Sequence, residues 1–104
     1  MDFTSLAQVR TRIDELDNQL VALIAERGKC VKAAAAFKTD DAAVRAPDRV
    51  QQVVDLARRR ASEHGLPEEI IESVYRAMIG AFIDYELRQH QQLTQQKSRT
   101  DAPA

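Results

Sequence analysis

Apolar residues recur at alternating steps of three and four along the first third of the chain, a pattern typical of one long amphipathic helix. The resulting seam consists of Leu6, Val9, Ile13, Leu16, Leu20, Leu23, Arg27, Cys30, Ala34 and Phe37. Thr4 or Ser5 can cap the start of this helix, and we expect it to run to about Lys38.

The length of this helix has a consequence for assembly. About 34 residues at ~1.5 Å each give a rod of ~50 Å, whereas a compact domain of this size has a radius of gyration of only ~13 Å. Such a rod would project beyond the rest of its own chain and leave its apolar seam bare. We therefore expect a second copy to cover it, in an intertwined homodimer.

Two shorter helices follow. One begins with Pro47 in its first turn and stops at Gly65, and the next begins at Pro67. Their apolar stripes comprise Val50, Val53, Val54, Ala57 and Ala61, then Ile71, Tyr75, Met78, Ile79, Phe82 and Ile83. The pattern predicts an all-α fold of three helices in one domain, residues 1–92. We expect the polar tail, residues 93–104, to be frayed or disordered.

Composition excludes several classes of function. The 15 basic and 16 acidic residues give a net charge of -1, so the chain lacks the basic field that nucleic-acid binding requires. No run approaches the ~18 apolar residues of a membrane span, and we expect a cytoplasmic protein.

His64 and His90 have no further ligands at metal-binding spacing. Cys30 has no partner cysteine and is predicted to be a small core residue.

Two cations lie close to one face of the predicted first helix. Arg27 occupies the seam, where an unpaired guanidinium is costly to bury, so we expect an anionic partner. Alternatively, its stem packs while its head reaches solvent or an intrachain carboxylate. Lys38 follows eleven residues later, only ~20° around the predicted helix and ~16 Å along it. The two could bind opposite ends of a small dianion.

Two other charged residues could join the same site. Arg10 lies ~25 Å before Arg27 on the predicted helix and is rotated by ~100°, so it could reach that site only from the partner subunit; otherwise it is a surface arginine. Glu86 follows Phe82 by one turn, on the inward stripe of the last helix. Desolvation there favours the protonated carboxyl unless nearby cations dominate, or else Glu86 turns toward water.

The run "VRTRIDELDNQLVALIAERGKCVKAAAAFK", the arginines that follow it and the final amphipathic helix resemble the all-helical chorismate mutases over about residues 6 to 90. The stretch "AAFKTDDAAVRAPDRV" is most similar to the branch that contains the isochorismate pyruvate lyases of salicylate biosynthesis. The resemblance implies the three-helix chorismate mutase type II fold and an intertwined dimer with two equivalent sites.

The resemblance also implies the roles of individual residues. Arg10 of the partner subunit and Arg27 would bind the two substrate carboxylates, with Arg49 assisting. Lys38 would donate to the enolpyruvyl ether oxygen, and Glu86 would face the same oxygen. Chorismate rearranges without a nucleophile, metal or proton abstraction, so no cofactor is implied.

Some positions depart from the mutase pattern. Val50 and Ala46 stand where mutases often place glutamate and aspartate, and Phe82 replaces a small hydroxyl residue, all of which favour the lyase. Glu86 stands where bacterial members have glutamine and fungal mutases glutamate. Since a carboxyl donates only when protonated, we expect activity to fall as the pH rises and Glu86→Gln to remove that dependence.

These features together predict a chorismate mutase of aromatic amino acid biosynthesis, the more common activity of the family. The first alternative is an isochorismate pyruvate lyase. The second is a non-enzymatic helical dimerisation module, which accounts for the seam but not for the arginine within it. The expected partners are a small dianion, chorismate or isochorismate, and a second copy of the chain.

Overall fold

The computed structural model describes residues 2–100, and it describes the side chains of residues 2–89 and of Gln91. The helices are α1 (Leu6–Ala35), α2 (Asp41–Arg45), α3 (Pro47–Glu63) and α4 (Glu68–Thr100). The predicted all-α class is confirmed. The helices fall into two units, one up to residue 34 and one from residue 35 onwards, and α2 and α3 pack against α4 in the second.

The N-terminus of α1 is capped as the sequence predicts. The Ser5 hydroxyl accepts the Gln8 N–H at 3.2 Å, and the Gln8 side chain accepts the Thr4 N–H at 2.9 Å. These bonds satisfy two backbone donors at the helix start, in an arrangement close to a capping box but with Thr4 in place of Ser5 as the second donor.

The predicted end of the first helix at about Lys38 is wrong, because α1 ends at Ala35. Asp40 caps α2 from an extended backbone conformation, with φ -149° and ψ 173°, so the chain must leave the helix before that residue. The Lys38 N–H closes the turn by donating to the Ala35 carbonyl at 3.1 Å. Helical phase therefore does not relate Lys38 to Arg27.

The apolar seam of α1 is exposed in the single chain. No residue of α1 is buried, and Leu6, Leu20 and Leu23 are 62%, 53% and 63% exposed. Cys30 is exposed as well, so its predicted burial is not found within one chain. Contiguous exposed apolar surface of this kind is typical of an interaction surface.

The charged segment between α1 and α3 contains the short helix α2, which the hydrophobic pattern does not reveal. The Asp40 carboxylate accepts the Ala43 N–H at 2.8 Å, the usual role of aspartate at an N-cap. Val44 is the buried residue of this helix. Ala46 then adopts a left-handed conformation, φ 36° and ψ 61°, which lets the chain turn directly into α3 at Pro47.

The helices α3 and α4 form a hairpin around a small-residue core. Val54 is fully buried in α3, and Ala57 and Ala61 are nearly so; Ile79 and Leu87 are the buried residues of α4 among the side chains described. The remaining predicted core positions of both helices are half-buried: Val50, Val53, Ile71, Tyr75, Met78, Phe82 and Ile83.

The turn between α3 and α4 has the predicted glycine geometry. Gly65 has φ +73°, and the Leu66 N–H donates to the Ala61 carbonyl at 2.8 Å while the Gly65 N–H donates to the Ser62 carbonyl at 3.1 Å. This is the Schellman arrangement that ends many helices. It reverses the chain, so α4 runs back along α3.

Polar side chains also link α3 to α4. Arg58 donates to Glu68 at 3.2 Å and to Glu72 at 3.3 Å, and Arg76 donates to Gln51 at 3.0 Å. Such partly exposed pairs stabilise little individually, but they add contacts between the two helices of the hairpin. Arg58 is thus engaged with acidic partners, as expected for a solvated helix face.

The backbone of α4 remains helical to Thr100, through much of the segment whose polar composition predicts fraying. Glutamine, leucine, lysine and arginine are favourable helix formers, which accounts for this continuation; residues 101–104 lie outside the described residues. None of the helices that the structure describes combines the length and hydropathy needed to cross a membrane.

Candidate active site

The most distinctive polar contact of the second unit joins Lys38 to Glu86. The Lys38 Nζ lies 3.2 Å from Glu86 Oε1 and 3.5 Å from Oε2. The lysine side chain is 24% exposed and the glutamate side chain 12%. A shielded ion pair of this kind retains much more of its electrostatic strength than one in solvent.

The two partners reach this contact from different elements. Lys38 lies in the non-helical segment between α1 and α2, and the cap at Asp40 directs that segment back over α4. Glu86 lies one turn after Phe82, on the stripe of α4 that faces α2 and α3. The low exposure of Glu86 confirms that it faces inward, and the alternative in which it turns toward water is wrong.

This pair presents hydrogen-bond donors to a ligand. An ammonium group carries three N–H donors and no acceptor, and the described hydrogen bonds of Lys38 Nζ all go to Glu86. The remaining donors can bind an oxygen atom of a ligand. A fixed ammonium in a shielded site is well suited to stabilise negative charge that develops on such an oxygen.

Three more residues of the candidate site belong to the same unit. Arg49 lies in the first turn of α3, where it is exposed and where its Nη1 lies 3.4 Å from Gln52 Oε1. Val50 and Phe82 are half-buried on α3 and α4. No described polar contact joins Arg49 to Lys38 or Glu86, so its placement in the site remains a prediction.

The two other predicted arginines lie on α1. Arg10 is exposed and Arg27 is half-buried, and neither donates to another side chain among the described hydrogen bonds. The unbroken helix between them confirms a separation of about 25 Å. One copy of α1 therefore cannot bring both guanidinium groups to one small molecule.

The sequence pattern indicates both Lys38 and Glu86 as candidate site residues but does not predict that they pair. The available signal is that each is a charged residue at a position expected to face inward, where an opposite charge is the usual compensation. The short helix α2 is the second missed feature. Its signal is Asp40, a good capping residue directly before "DAAV".

Within the described part of the chain, no cluster of three or more His, Cys, Asp or Glu side chains could hold a metal ion.

Comparison with known proteins identifies the family. The chorismate mutase type II family matches residues 9–87. An isochorismate pyruvate lyase from Pseudomonas aeruginosa is 34% identical over 87 residues, which cover 84% of this chain and 86% of that protein. A chorismate mutase from Methanocaldococcus jannaschii is 33% identical over 75 residues, 71% of this chain and 76% of that protein. The matched region includes α1 from Val9 onwards, α2, α3 and α4 through Leu87, and this chain belongs to the chorismate mutase type II family.

Proposed function

We propose that this protein is a chorismate mutase, which rearranges chorismate to prephenate. The observation that carries the proposal is the shielded Lys38–Glu86 pair in a chain of this family. It supplies a fixed cation at the position from which the resemblance expects a donor to the ether oxygen. The relative from Methanocaldococcus jannaschii is named for this activity.

The reaction needs little chemical machinery, and the proposed residues supply what it needs. The rearrangement is pericyclic, so no group on the protein has to be alkylated or to remove a proton. Arginine side chains that bind both carboxylates restrict the flexible substrate to a compact reactive conformer. A preorganised donor such as Lys38 stabilises charge that grows on the ether oxygen, and one such donor is typically worth ~3 to 4 kcal/mol.

The carboxylate clamp requires two chains. Arg27 would bind one carboxylate and Arg10 of the partner subunit the other, with Arg49 assisting from α3. This arrangement is supported by the exposed seam of α1 and by the distance of about 25 Å that separates Arg10 from Arg27 along one helix. An intertwined homodimer would cover the seam and complete each site at the same time.

Isochorismate pyruvate lyase activity, giving salicylate and pyruvate, is the second candidate. It is favoured by the lyase from Pseudomonas aeruginosa among the relatives and by the apolar side chains of Val50 and Phe82. Val50 and Phe82 are half-buried and offer no hydrogen bond to a ring hydroxyl, which suits a substrate whose hydroxyl lies elsewhere on the ring.

Purified protein incubated separately with chorismate and isochorismate tests both candidates. Formation of prephenate from chorismate supports the mutase. If chorismate is not converted while isochorismate gives salicylate and equimolar pyruvate, the protein is the lyase instead. We expect Lys38→Met to lower kcat by about a hundredfold or more. Lys29→Met, which removes an exposed lysine of α1, is the matched control. If wild-type protein consumes neither compound, both candidates are wrong.

A further inference from the structure

We propose that Ala46 is a positioning residue, whose left-handed backbone holds the short helix α2 in the place that sets the spacing of Lys38 and Arg49. This inference rests on the proposed function, because that function assigns both cations to one substrate. Ala46 itself does not touch the substrate in this proposal. It acts through the path of the chain on either side of it.

The backbone conformation of Ala46 is unfavourable for two independent reasons. Ala46 is the one residue other than glycine with a positive φ in the part of the chain that the structure describes, with φ 36° and ψ 61°. In this region the Cβ of an L-residue crowds its own backbone. The next residue is Pro47, and the residue before a proline ordinarily has an extended backbone. Ala46 therefore departs from both preferences at once.

The start of α3 does not need this conformation. An N-cap residue usually has an extended backbone and a side-chain oxygen that accepts an N–H of the first turn. Ala46 has neither, and no described side-chain hydrogen bond caps α3. The same residue thus lacks a stabilising cap and has a strained backbone. Strain of this kind persists where the surrounding structure determines it, and it is concentrated at functional sites.

Hydrogen bonds on both sides tie Ala46 to the two helices that it joins. Its N–H donates to the Ala42 carbonyl at 2.9 Å, and its carbonyl accepts the Val50 N–H at 3.0 Å. Two residues earlier, Val44 is buried where α2 packs against α4. An extended backbone at Ala46 would change the direction of the chain between the two helices. α2 and α3 could then not both keep their packing on α4.

The junction at Ala46 lies between two cations of the proposed site. Lys38 comes two residues before Asp40, the N-cap of α2, and Arg49 lies in the first turn of α3. Between Asp40 and Arg49 the chain consists of α2, Ala46 and the start of α3. Because the two helical parts have fixed backbones, the conformation of Ala46 determines how they are joined. Misplacement of a binding group by about 1 Å can lower a rate by about a hundredfold.

Substitutions that differ in their tolerance of positive φ test this proposal. Valine is β-branched and strongly disfavours the left-handed region, so we expect Ala46→Val to lower kcat and raise KM, with kcat/KM reduced by about tenfold or more. Glycine and asparagine tolerate that region, so Ala46→Gly and Ala46→Asn should keep kcat/KM within about threefold of wild type. Each variant is assayed where circular dichroism shows that it is folded.

Ala42→Val is the matched control. Ala42 is an exposed residue of α2, and the variant makes the same change of side chain at a residue without a positive φ. It should keep the wild-type kcat and KM. If folded Ala46→Val loses stability alone and also keeps the wild-type kcat and KM, the junction is merely structural and the inference is wrong.

Replacement of Ala46 by D-alanine, in a chemically synthesised full-length chain, separates the backbone from the side chain. D-Alanine keeps the methyl group and prefers positive φ. We expect this protein to retain kcat/KM and to unfold at a higher urea concentration than wild type. If Ala46→Val does not fold, this protein and Ala46→Asn still decide the matter. A tenfold loss of kcat/KM in either one, while folded, overturns the inference.

A measurement on the free protein distinguishes failure of this inference from failure of the proposed function. Nuclear Overhauser contacts between the Val44 methyl groups and α4 report the packing of α2. They should be present in wild type and Ala46→Gly and weakened in Ala46→Val. Unchanged contacts in Ala46→Val overturn the inference whether or not the protein turns over either substrate. If the contacts change as expected but the wild type consumes neither chorismate nor isochorismate, the proposed function is refuted and with it the substrate role of the junction.

Discussion

At the scale of the residue, Arg27 distinguishes an enzyme from a structural module. It lies on the seam of α1, at a position where the repeat favours leucine, and it is half-buried. We expect Arg27→Leu to abolish turnover, because in the proposed site one carboxylate of the substrate would lose its partner. The same variant should be as stable as wild type or more so, since burying leucine avoids the desolvation of a guanidinium.

Activity and urea denaturation, measured on the same preparation, check this prediction. Arg12→Leu is the matched control, because Arg12 lies on the same helix and pairs with Glu15 at the surface; it should keep activity within about twofold. An Arg27→Leu protein that is fully active would remove Arg27 from the site.

The sequence identifies Arg27, Lys38 and Glu86 for one physical reason. Each is a charged group at a position that the helical period assigns to the interior, and such a group requires compensation. Helical periodicity cannot predict which of these charged residues form an ion pair, because the pairing depends on where the chain leaves the helix. The end of α1 at Ala35 moves Lys38 off the predicted face, and the turn that follows brings it to Glu86.

At the scale of the element, the turn between α3 and α4 sets the register of the hairpin that carries Glu86. Gly65 has φ +73°, a conformation that places the Cβ of other residues too close to the backbone. Nothing lies within 4 Å of a Cβ added there, so the strain would be purely conformational. We expect Gly65→Ala to lower the free energy of unfolding by about 1 kcal/mol.

Urea denaturation of Gly65→Ala and Gly65→Asn measures this effect. Asparagine tolerates the left-handed conformation, so Gly65→Asn should be destabilised less than Gly65→Ala. Equal losses in the two variants would show that the conformation at Gly65 does not determine the stability of the turn.

The long helices are predictable from the sequence because their apolar residues keep a helical periodicity over many turns and because proline and glycine mark helix ends. Pro47, Gly65 and Pro67 mark the ends of α3 and the start of α4 to within two residues. The helix α2 has only five residues, too few to show a helical periodicity, so the hydrophobic pattern does not predict it. Ala46, with its positive φ, has no glycine signal that would mark the junction between α2 and α3.

At the scale of the whole molecule, the exposed seam and the candidate site support the same assembly. Along α1 the exposed apolar residues include Leu6, Ile13, Leu16, Leu20, Val21 and Leu23. A single chain of this kind is poorly suited to remain alone in water. The length of the predicted helix already indicates that a second copy covers α1. How the two copies are arranged cannot be predicted from the hydrophobic pattern of one chain.

Mixing two inactive variants tests whether the site is shared between chains. Arg10→Ala and Lys38→Met should each lower turnover by about a hundredfold or more, since each removes one part of every proposed site. In a heterodimer of the two, one site combines the intact Lys38 of one chain with the intact Arg10 of the other, while the second site lacks both. Random reassociation after unfolding should therefore restore about a quarter of the wild-type activity, because about half of the dimers are mixed and each has one functional site.

The control for this experiment mixes the same proteins without unfolding, so that chains do not exchange if the dimer is stable. Equilibrium sedimentation before and after reassociation establishes that both samples are dimers. Activity that appears only after reassociation would require Arg10 and Lys38 of one site to come from different chains. If no activity returns although mixed dimers have formed, Arg10 serves the site of its own chain, and the intertwined arrangement is wrong.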